Sequence, residues 1–509
     1  MDIYNFRYNF RKIEWGPDDA KGDKNLFLYF VQFPEFDQIK KGKYRYIIGR
    51  KGTGKTAIIE KIKLEIEEKP LSFYSVLSLR DFPINYLRDL REKSYRDKSQ
   101  YVPIWLFLIY IELCKLILED HGAKPSEVIE ELKVFLEENG LLDVRGFLDT
   151  LSVLKERQSK LKVLSKWLGG EYKKQNQTQS FISMHYQKIV KIIEKLLLKI
   201  ETKSDFRLFM DELDEGYRAG DKTLRLILLA LFRATEDSAI NLKHSKFNYK
   251  PLLVLRSDIY DYLEDNDLNK LDDYTLRLKW ISYRDDSPYS LKNIPIARIR
   301  ASVRDKLPID RLDLWNLVVY DNDPNIPSQV GSIWKYIANR TYERPRDVIK
   351  FLKYCQEFSK SNGRLTYQVV KHAENKYSEW LFNEIRDELH SYLPVWREAL
   401  QCLSRIGKGK LTVQEYINEI KKHHSIQRWL KNNDKDPEEI LEILFNFSII
   451  GNLDEKGRWL FKYKDHDLIF DPSMNIIVHF GLKKKLRLFD QKKKFSNKPL
   501  QRTGGTAGR

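Results

Sequence analysis

At 509 residues, the chain is longer than a single hydrophobic core usually supports, so we expect two or three packed units. Hydrophobic residues make up 42% and charged residues 32% of the sequence, which excludes a disordered chain and a membrane-embedded one. Residues 481–509 contain ten Lys or Arg against one Asp, and so supply +9 of the net charge of +17. The charge indicates a basic tail, which would serve either as a phosphate-binding arm or as a solvated end.

The most apolar stretch, 103–118, is too short to span a bilayer and contains Glu112 and Lys115, so it predicts a buried helix. The N-terminal sequence MDIYNFRYNFRK lacks the apolar run of a secretory signal. The cysteines are far apart and lack metal-ligand spacing: Cys114, Cys355 and Cys402. These features predict a cytoplasmic protein with no membrane partner.

A β-prone run at 44–48 leads directly into the sequence GRKGTGKT, and an amphipathic helical pattern follows until Pro70. Strand, glycine loop and helix are the context of a Walker A motif, in which backbone N–H groups surround phosphates. Lys55 is expected to reach the β- and γ-phosphates, and the hydroxyl of Thr56 to bind Mg²⁺. The predicted nucleotide-binding residues of this loop are Gly49, Arg50, Lys51, Gly52, Thr53, Gly54, Lys55, Thr56 and Ala57.

The interval after this loop is much longer than a minimal βαβ connection and is rich in Leu, Lys and Glu. It predicts a helical insertion at about 71–200, whose function the residues do not reveal. Three helices are predicted within it, at 104–118, 126–138 and 184–199, and the polar stretch 169–180 predicts a loop.

The sequence FRLFMDE at 206–212 is an apolar run that ends in two acids, as expected for the strand that accompanies a Walker A loop. Asp211 is predicted to hold Mg²⁺ through water. Glu212 is predicted to be the general base that accepts a proton from the attacking water. In the alternative interpretation, Glu212 belongs to a solvated acidic turn with Asp214 and Glu215.

A further apolar run, 251–255, leads into Arg256 and Ser257 at the predicted carboxyl end of a parallel strand, where ligands bind. Ser257 or Arg256 would contact the γ-phosphate as a sensor, and a structural ion pair is the alternative for Arg256. The tetrad NKLD at 269–272 matches the guanine-reading motif of GTPases. Polar sequence precedes it instead of a buried strand, so we interpret it as coincidental and favour ATP over GTP.

Two helices are predicted at 332–340 and 346–358, joined by the sequence TYERPRD, with Pro345 in the first turn of the second. In ATPases with a helical lid, an arginine here reaches the γ-phosphate. Arg346 is the first candidate for this catalytic role and Arg344 is the second, as a nucleotide-binding residue; the alternative is that either pairs with a neighbouring acid. The candidates for an arginine finger from a neighbouring subunit are Arg298 and Arg300.

The C-terminal part, 366–482, predicts helices followed by a hairpin, which is the pattern of a winged helix. Thr412 and Glu415 form a capping box, a helix follows at 437–445, and two β-prone runs at 448–463 flank a turn. Winged helices bind DNA through a helix in the major groove, and they also serve as protein-contact modules. This part is close to neutral, which weakens the prediction of DNA binding.

The order of these motifs resembles a group of prokaryotic P-loop ATPases related to the initiator and signal-transduction branches of the AAA-like superfamily, some of them associated with anti-phage defence. The resemblance covers most of the chain outside the insertion and implies an ATP-dependent conformational switch with a winged-helix region. The motifs that carry it are GRKGTGKTAI from Gly49, MDELDEGY from Met210, LRSDIY from Leu255, RPRD from Arg344 and IIVHFGLKKKL from Ile476.

We therefore predict an α/β fold with a P-loop parallel sheet of the AAA-like class. The predicted parts are an ATPase core at 1–290, a helical lid at 291–365, a winged-helix-like domain at 366–482 and a flexible basic tail at 483–509. The predicted function is an ATP-hydrolysing, Mg²⁺-dependent switch that acts as a homo-oligomer or with a protein partner. The alternatives are a DNA-binding ATPase of initiator or remodeller type and a nucleotide-binding scaffold that does not hydrolyse.

Overall fold

The computed structural model describes residues 8–78, 87, 97–144, 146–156, 161–162, 181–182, 186–213, 220–263, 265, 268–307, 312–359 and 363–489. The chain divides into two compact units, Met1–Tyr377 and Ser378–Arg509. The predicted loop at 169–180 and the acids Asp214 and Glu215 lie outside the described residues. Among the helices that are described, none has both the length and the apolar character that crossing a membrane requires.

The first unit is built on a five-stranded parallel sheet. Its strands are β1 (Tyr46–Ile48), β2 (Ser72–Ser78), β5 (Glu201–Asp211), β6 (Lys246–Leu255) and β7 (Thr275–Arg277). A separate antiparallel pair consists of β3 (Leu161–Lys162) and β4 (Phe181–Ile182). The order in the sheet is β2-β5-β6-β1-β7, so β6 lies between the strand that enters the glycine loop and the strand that ends in Asp211. This is the sheet of a P-loop protein of the AAA-like class.

Both faces of the sheet are buried at its central strands, as expected for parallel strands covered by helices. In β1, Tyr46 and Ile48 belong to one core and Ile47 to the other. The helices of this unit are α1 (Leu26–Tyr29), α2 (Phe36–Lys40), α3 (Lys55–Glu67), α4 (Val102–Glu119), α5 (Ser126–Glu138), α6 (Gly146–Glu156), α7 (Tyr186–Leu197), α8 (Lys222–Asn241), α9 (Ser257–Tyr262), α10 (Asn293–Val303), α11 (Leu314–Val318), α12 (Ile333–Ala338) and α13 (Pro345–Phe358). Helix α14 (Tyr367–Leu389) crosses the boundary between the units.

The helical insertion is confirmed, and its helices α4, α5 and α7 lie close to their predicted bounds. Helix α4 is apolar nearly all round and belongs to the larger of the two cores, as its sequence predicts. The indole N–H of Trp105 on α4 donates a hydrogen bond to the carbonyl of Ile227 on α8 at 3.0 Å. The insertion is thus packed against the sheet through its own apolar helix.

The second unit combines helices with a small antiparallel sheet, whose first strand lies between the first two of these helices. The helices are α15 (Trp396–Ile406), α16 (Val413–Ile420), α17 (His424–Asn432) and α18 (Pro437–Asn446). The strands are β8 (Lys410–Leu411), β9 (Ile450–Leu453), β10 (Trp459–Leu460) and β11 (Asn475–Val478), in the order β10-β9-β11-β8. Both halves of the capping box between Thr412 and Glu415 are present, and Gly457 turns the β9–β10 hairpin with a φ of 76°. This arrangement is winged-helix-like.

The sequence predicts a flexible tail from residue 483, but residues 483–489 are part of the folded second unit. Leu486 is buried, and the backbone N–H of Phe489 donates to the carbonyl of Gly407 at 2.9 Å. The backbone N–H of Lys485 donates to the hydroxyl of Ser378 at 3.0 Å. The prediction was wrong here because it followed the lysine-rich composition and overlooked the apolar residues between the lysines.

Candidate nucleotide site

The glycine loop connects the carboxyl end of β1 to the first turn of α3, as predicted. Gly52 and Gly54 have φ values of 83° and 103°, which residues with a Cβ rarely adopt. At Gly49, an added Cβ would lie 2.8 Å from the hydroxyl of Thr53, so this glycine is required by close packing. The carbonyl of Thr53 accepts a hydrogen bond from the indole of Trp280 at 3.0 Å, a support that no sequence motif indicates.

Lys55 lies folded into this loop. Its ammonium donates to the carbonyl of Gly49 at 2.8 Å and to that of Arg50 at 3.1 Å. These hydrogen bonds hold a positive charge at the helix N-terminus, where backbone N–H groups and the helix dipole already favour an anion. The ammonium is therefore positioned to exchange the loop carbonyls for phosphate oxygens.

Thr56 and Asp211 meet at the ends of α3 and β5. The hydroxyl of Thr56 donates to a carboxylate oxygen of Asp211 at 3.0 Å, although 155 residues separate them in the chain. Burial raises the pKa of Asp211, while the N–H of Glu212, the hydroxyl of Thr56 and the charge of Lys55 act in the opposite direction. A buried carboxylate beside a hydroxyl is an oxygen donor set of the kind Mg²⁺ prefers, and a cation here would offset the cost of burying the charge.

Glu212 follows the end of β5 with a φ of 61°, a left-handed conformation that is uncommon outside glycine. Its backbone N–H donates to the carboxylate of Asp211 at 2.8 Å. One oxygen of its own carboxylate contacts the ammonium of Lys21 at 2.5 Å, and the other accepts a hydrogen bond from the hydroxyl of Ser78 at the end of β2. The carboxylate is therefore held among three chain segments, which the alternative of a solvated acidic turn does not describe.

A cleft of about 700 Å³, counting the space at its open mouth, lies over the loop. Gly52, Gly54 and the first turn of α3, including Ala57, form one wall. The N-terminal segment 17–23 and the first residues of α13 form the others. Of the remaining predicted loop residues, Lys51 is half-exposed, and the guanidinium of Arg50 lies 4.8 Å from the centre of the Tyr342 ring.

The two arginines of the RPRD motif have different environments. Arg346 lines the cleft, and its backbone N–H donates to the carbonyl of Gly52 at 3.3 Å. Arg344 is 2% exposed, and its Nε lies 2.9 Å from both carboxylate oxygens of Asp347, which is fully buried. The structure thus brings Arg346 to the candidate site but places Arg344 in a buried ion pair. The alternative interpretation, in which an arginine of this motif pairs with a neighbouring acid, is therefore correct for Arg344, and the ion pair is buried.

Arg298 and Arg300 lie on α10 with different exposure. Arg298 lines the cleft of its own chain, where its Nε donates to the carbonyl of Trp15 at 3.0 Å and its guanidinium lies 4.3 Å from the centre of the Tyr29 ring. Burial lowers the pKa of Arg298, while Tyr29 and Asp23 act in the opposite direction. Arg300 is exposed. The geometry therefore places Arg298 beside the cleft of its own chain.

The predicted sensor strand ends beside the loop but presents its side chains differently. The backbone N–H of Ser257 donates to the carbonyl of Gly49 at 3.2 Å, so Ser257 supports the loop through its backbone. The guanidinium of Arg256 pairs with the carboxylate of Asp258 at 2.7 Å, so Arg256 forms a structural ion pair. Neither Ser257 nor Arg256 is among the described residues that line the cleft.

The NKLD tetrad lies in a 3₁₀ helix, Leu268–Tyr274, that precedes β7. Because β7 runs parallel to β1, the amino end of β7 lies at the edge of the sheet opposite the glycine loop. The tetrad is therefore remote from the cleft, in agreement with its interpretation as a coincidence.

The sheet order and the glycine loop define a P-loop protein of AAA-like fold. Residues 289–386 match the model of a family described as the FunZ-associated C-terminal helical domain. The crystal structure of Cdc6p from Pyrobaculum aerophilum is similar at 12% sequence identity over 91% of this chain and 96% of that chain, with a TM-score of 0.30. No curated protein matches the sequence significantly. The chemistry of the cleft is therefore inferred from the positions of its own residues.

Proposed function

We propose that this chain is a Mg²⁺-dependent ATPase that acts as a molecular switch. The observation that carries the proposal is the 3.0 Å hydrogen bond between Thr56 and Asp211, directly beside Lys55 and Glu212. It brings the hydroxyl of the glycine loop and the acid of the partner strand to one point, as hydrolysis of a nucleotide in a P-loop requires. Its role in anti-phage defence or signalling is supported by the motif resemblance alone.

The glycine loop would bind the phosphates through its backbone N–H groups and through the ammonium of Lys55, which exchanges the carbonyls of Gly49 and Arg50 for phosphate oxygens. Thr56 and Asp211 would hold Mg²⁺. When bound, the cation neutralises negative charge on the phosphate oxygens. Asp211 is kept in position for this by the N–H of Glu212 and the hydroxyl of Thr56.

Glu212 would act as the general base. Its carboxylate lies one residue beyond Asp211, and it would accept a proton from water that attacks the terminal phosphate. Lys21 and Ser78 each contact one of its oxygens and so hold the carboxylate at the end of β5, while each oxygen keeps a second lone pair.

Arg346 would report the state of the nucleotide to the lid. Its backbone contacts Gly52 of the loop, and its side chain lines the cleft. A guanidinium in this position stabilises negative charge that develops on the phosphate during hydrolysis. Helix α13 would therefore change its arrangement when that charge is lost.

The experiment is steady-state ATP turnover by the purified full chain, compared with Lys55→Ala and Glu212→Gln. We expect loss of turnover in both variants, with nucleotide binding retained in Glu212→Gln because the phosphate contacts are intact. Turnover that is unchanged in Glu212→Gln would contradict the assignment of the base. A wild type that binds ATP without turning it over would favour a nucleotide-binding scaffold.

A DNA-stimulated ATPase is the second candidate, and one observation in the second unit favours it. Helix α17 exposes His424, Arg428 and Lys431, which gives its outer face a basic character. Phosphate contacts by such residues weaken steeply as salt rises. Stimulation of turnover by duplex DNA, lost as salt increases and reduced by Arg428→Ala, would support this candidate; turnover independent of DNA would reject it.

A further inference from the structure

The N-terminal segment makes two sets of ion pairs with parts of the candidate site that are far apart in the chain. Lys21 contacts Glu212 at 2.5 Å, and their side chains are 40% and 20% exposed. Three residues earlier, Asp18 contacts Lys350 and Lys353 of α13, each at 2.6 Å. One short segment therefore joins the candidate base at the end of β5 to the helix that begins with Pro345 and Arg346.

We propose that residues 18–21 form a latch that restrains ATP hydrolysis. Lys21 holds the carboxylate of Glu212, and Asp18 attaches the segment to α13. The proposal rests on the proposed function and names the regulation of the same site. Lys21 is a positioning residue in this scheme, because it acts through Glu212.

The hydrogen bonds of Glu212 explain why the latch restrains the base. One of its oxygens is bound to Lys21 and the other to Ser78. A general base must direct an oxygen lone pair at the attacking water, and these two contacts fix the direction of the carboxylate. While Lys21 stays in contact, the carboxylate of Glu212 therefore cannot turn freely toward that water.

The other end of the latch is firmly anchored. Burial alone would raise the pKa of Asp18, but the hydrogen bonds and charges of Lys350 and Lys353 outweigh it and hold that pKa below its usual range. Two lysines one helical turn apart thus bind a single carboxylate, which joins the segment to α13.

The cleft provides the means of release. Asp18, Asp19 and Ala20 line it opposite the first turn of α3, so a nucleotide that fills the cleft lies against the latch. The phosphates also bring negative charge close to Lys21, which competes with Glu212 for the ammonium. Binding of ATP would thereby release Glu212 from Lys21, which lies three residues after Asp18 in the same segment.

The test is ATP turnover by the full chain in Lys21→Ala, with Lys24→Ala as the matched control, since Lys24 is an exposed lysine on the same segment. We expect kcat/KM to rise roughly two- to fivefold in Lys21→Ala, the range for loss of a partly exposed ion pair, and to stay at the wild-type value in Lys24→Ala. Lys21→Arg should retain the restraint, and Asp18→Asn should give a smaller rise. A fall or no change in kcat/KM for Lys21→Ala would overturn the latch.

Hydrogen exchange separates failure of the latch from failure of the proposed function. In the protein without nucleotide, Lys21→Ala should speed amide exchange in residues 13–30, and Lys24→Ala should not. If no variant turns over ATP but this difference is seen, the contact is a restraint and the hydrolytic proposal fails. If wild type hydrolyses ATP and Lys21→Ala changes neither exchange nor turnover, hydrolysis stands and the latch is refuted.

Discussion

The region around the glycine loop and the second unit differ in the groups that their long-range polar contacts bring together. Around the loop, the hydroxyl of Thr56 and the carboxylate of Asp211 form a hydrogen bond across 155 residues of chain. In the second unit, the backbone N–H of Lys485 donates to the hydroxyl of Ser378 across 107 residues. The contact around the loop joins two groups that can bind a cation, so it defines a candidate site. The contact in the second unit uses a backbone group and holds the C-terminal segment in its fold.

The largest effect should come from a buried ion pair of the first unit that is structural and not catalytic. Arg344→Ala leaves the fully buried carboxylate of Asp347 without its guanidinium partner, and breaking such a pair costs about 3–5 kcal/mol. We expect a matching loss in the free energy of unfolding of the first unit, measured in urea. A loss below about 1 kcal/mol would show that the pair is not a main support of the lid helix.

Asp211→Asn tests the long-range contact that defines the candidate site. The amide keeps the shape of the side chain but removes the charge that would bind Mg²⁺, a contribution of several kcal/mol in metal-assisted reactions. We expect turnover to fall at least about a hundredfold at saturating ATP, with little change in circular dichroism. Full recovery at high Mg²⁺ would show that the charge sets cation affinity alone.

Arg346→Ala sharpens the contrast between the two arginines of one motif. Because Arg346 lines the cleft, its loss should reduce turnover about tenfold while the urea midpoint stays close to wild type. Arg304→Ala, at an exposed arginine that follows α10, is the matched control and should leave turnover unchanged. Equal losses in the two variants would remove Arg346 from the catalytic assignment.

Thr412→Ala should have the smallest effect and should be confined to the second unit. It removes the side-chain oxygen that accepts the N–H of Glu415, which costs about 1 kcal/mol in helix stability. We expect a small shift of the unfolding transition and unchanged basal ATP turnover. A clear change in turnover would show that the second unit takes part in the hydrolytic cycle.

Much of the fold could be predicted because its signals are local. The glycine loop between a β-prone run and an amphipathic helix predicted β1 and α3, and Pro345 marked the first turn of α13. The sequence also predicted that Thr56 and Asp211 lie together, because a phosphate loop that hydrolyses a nucleotide requires an acid on a neighbouring strand.

The rest depended on burial and on contacts between distant segments. Arg344 and Arg346 are two residues apart in one motif, and only the packing of α13 decides that one is buried and the other lines the cleft. Lys21 and Ser78 have no sequence pattern that links them to Glu212. The apolar residues between the lysines at 483–489 were overlooked for a simpler reason, because composition outweighed the positions of individual side chains.

The close approach of Arg346 to Gly52 has a mechanical consequence. An added Cβ at Gly52 would lie 3.1 Å from the Cβ of Arg346, and the backbone of Arg346 is hydrogen-bonded to the carbonyl of Gly52. The loop and the start of α13 are thus tightly packed against each other, and only a glycine fits at position 52 without displacing Arg346. A movement of the loop at Gly52 would therefore act directly on the start of α13, because the two are in contact without an intervening residue.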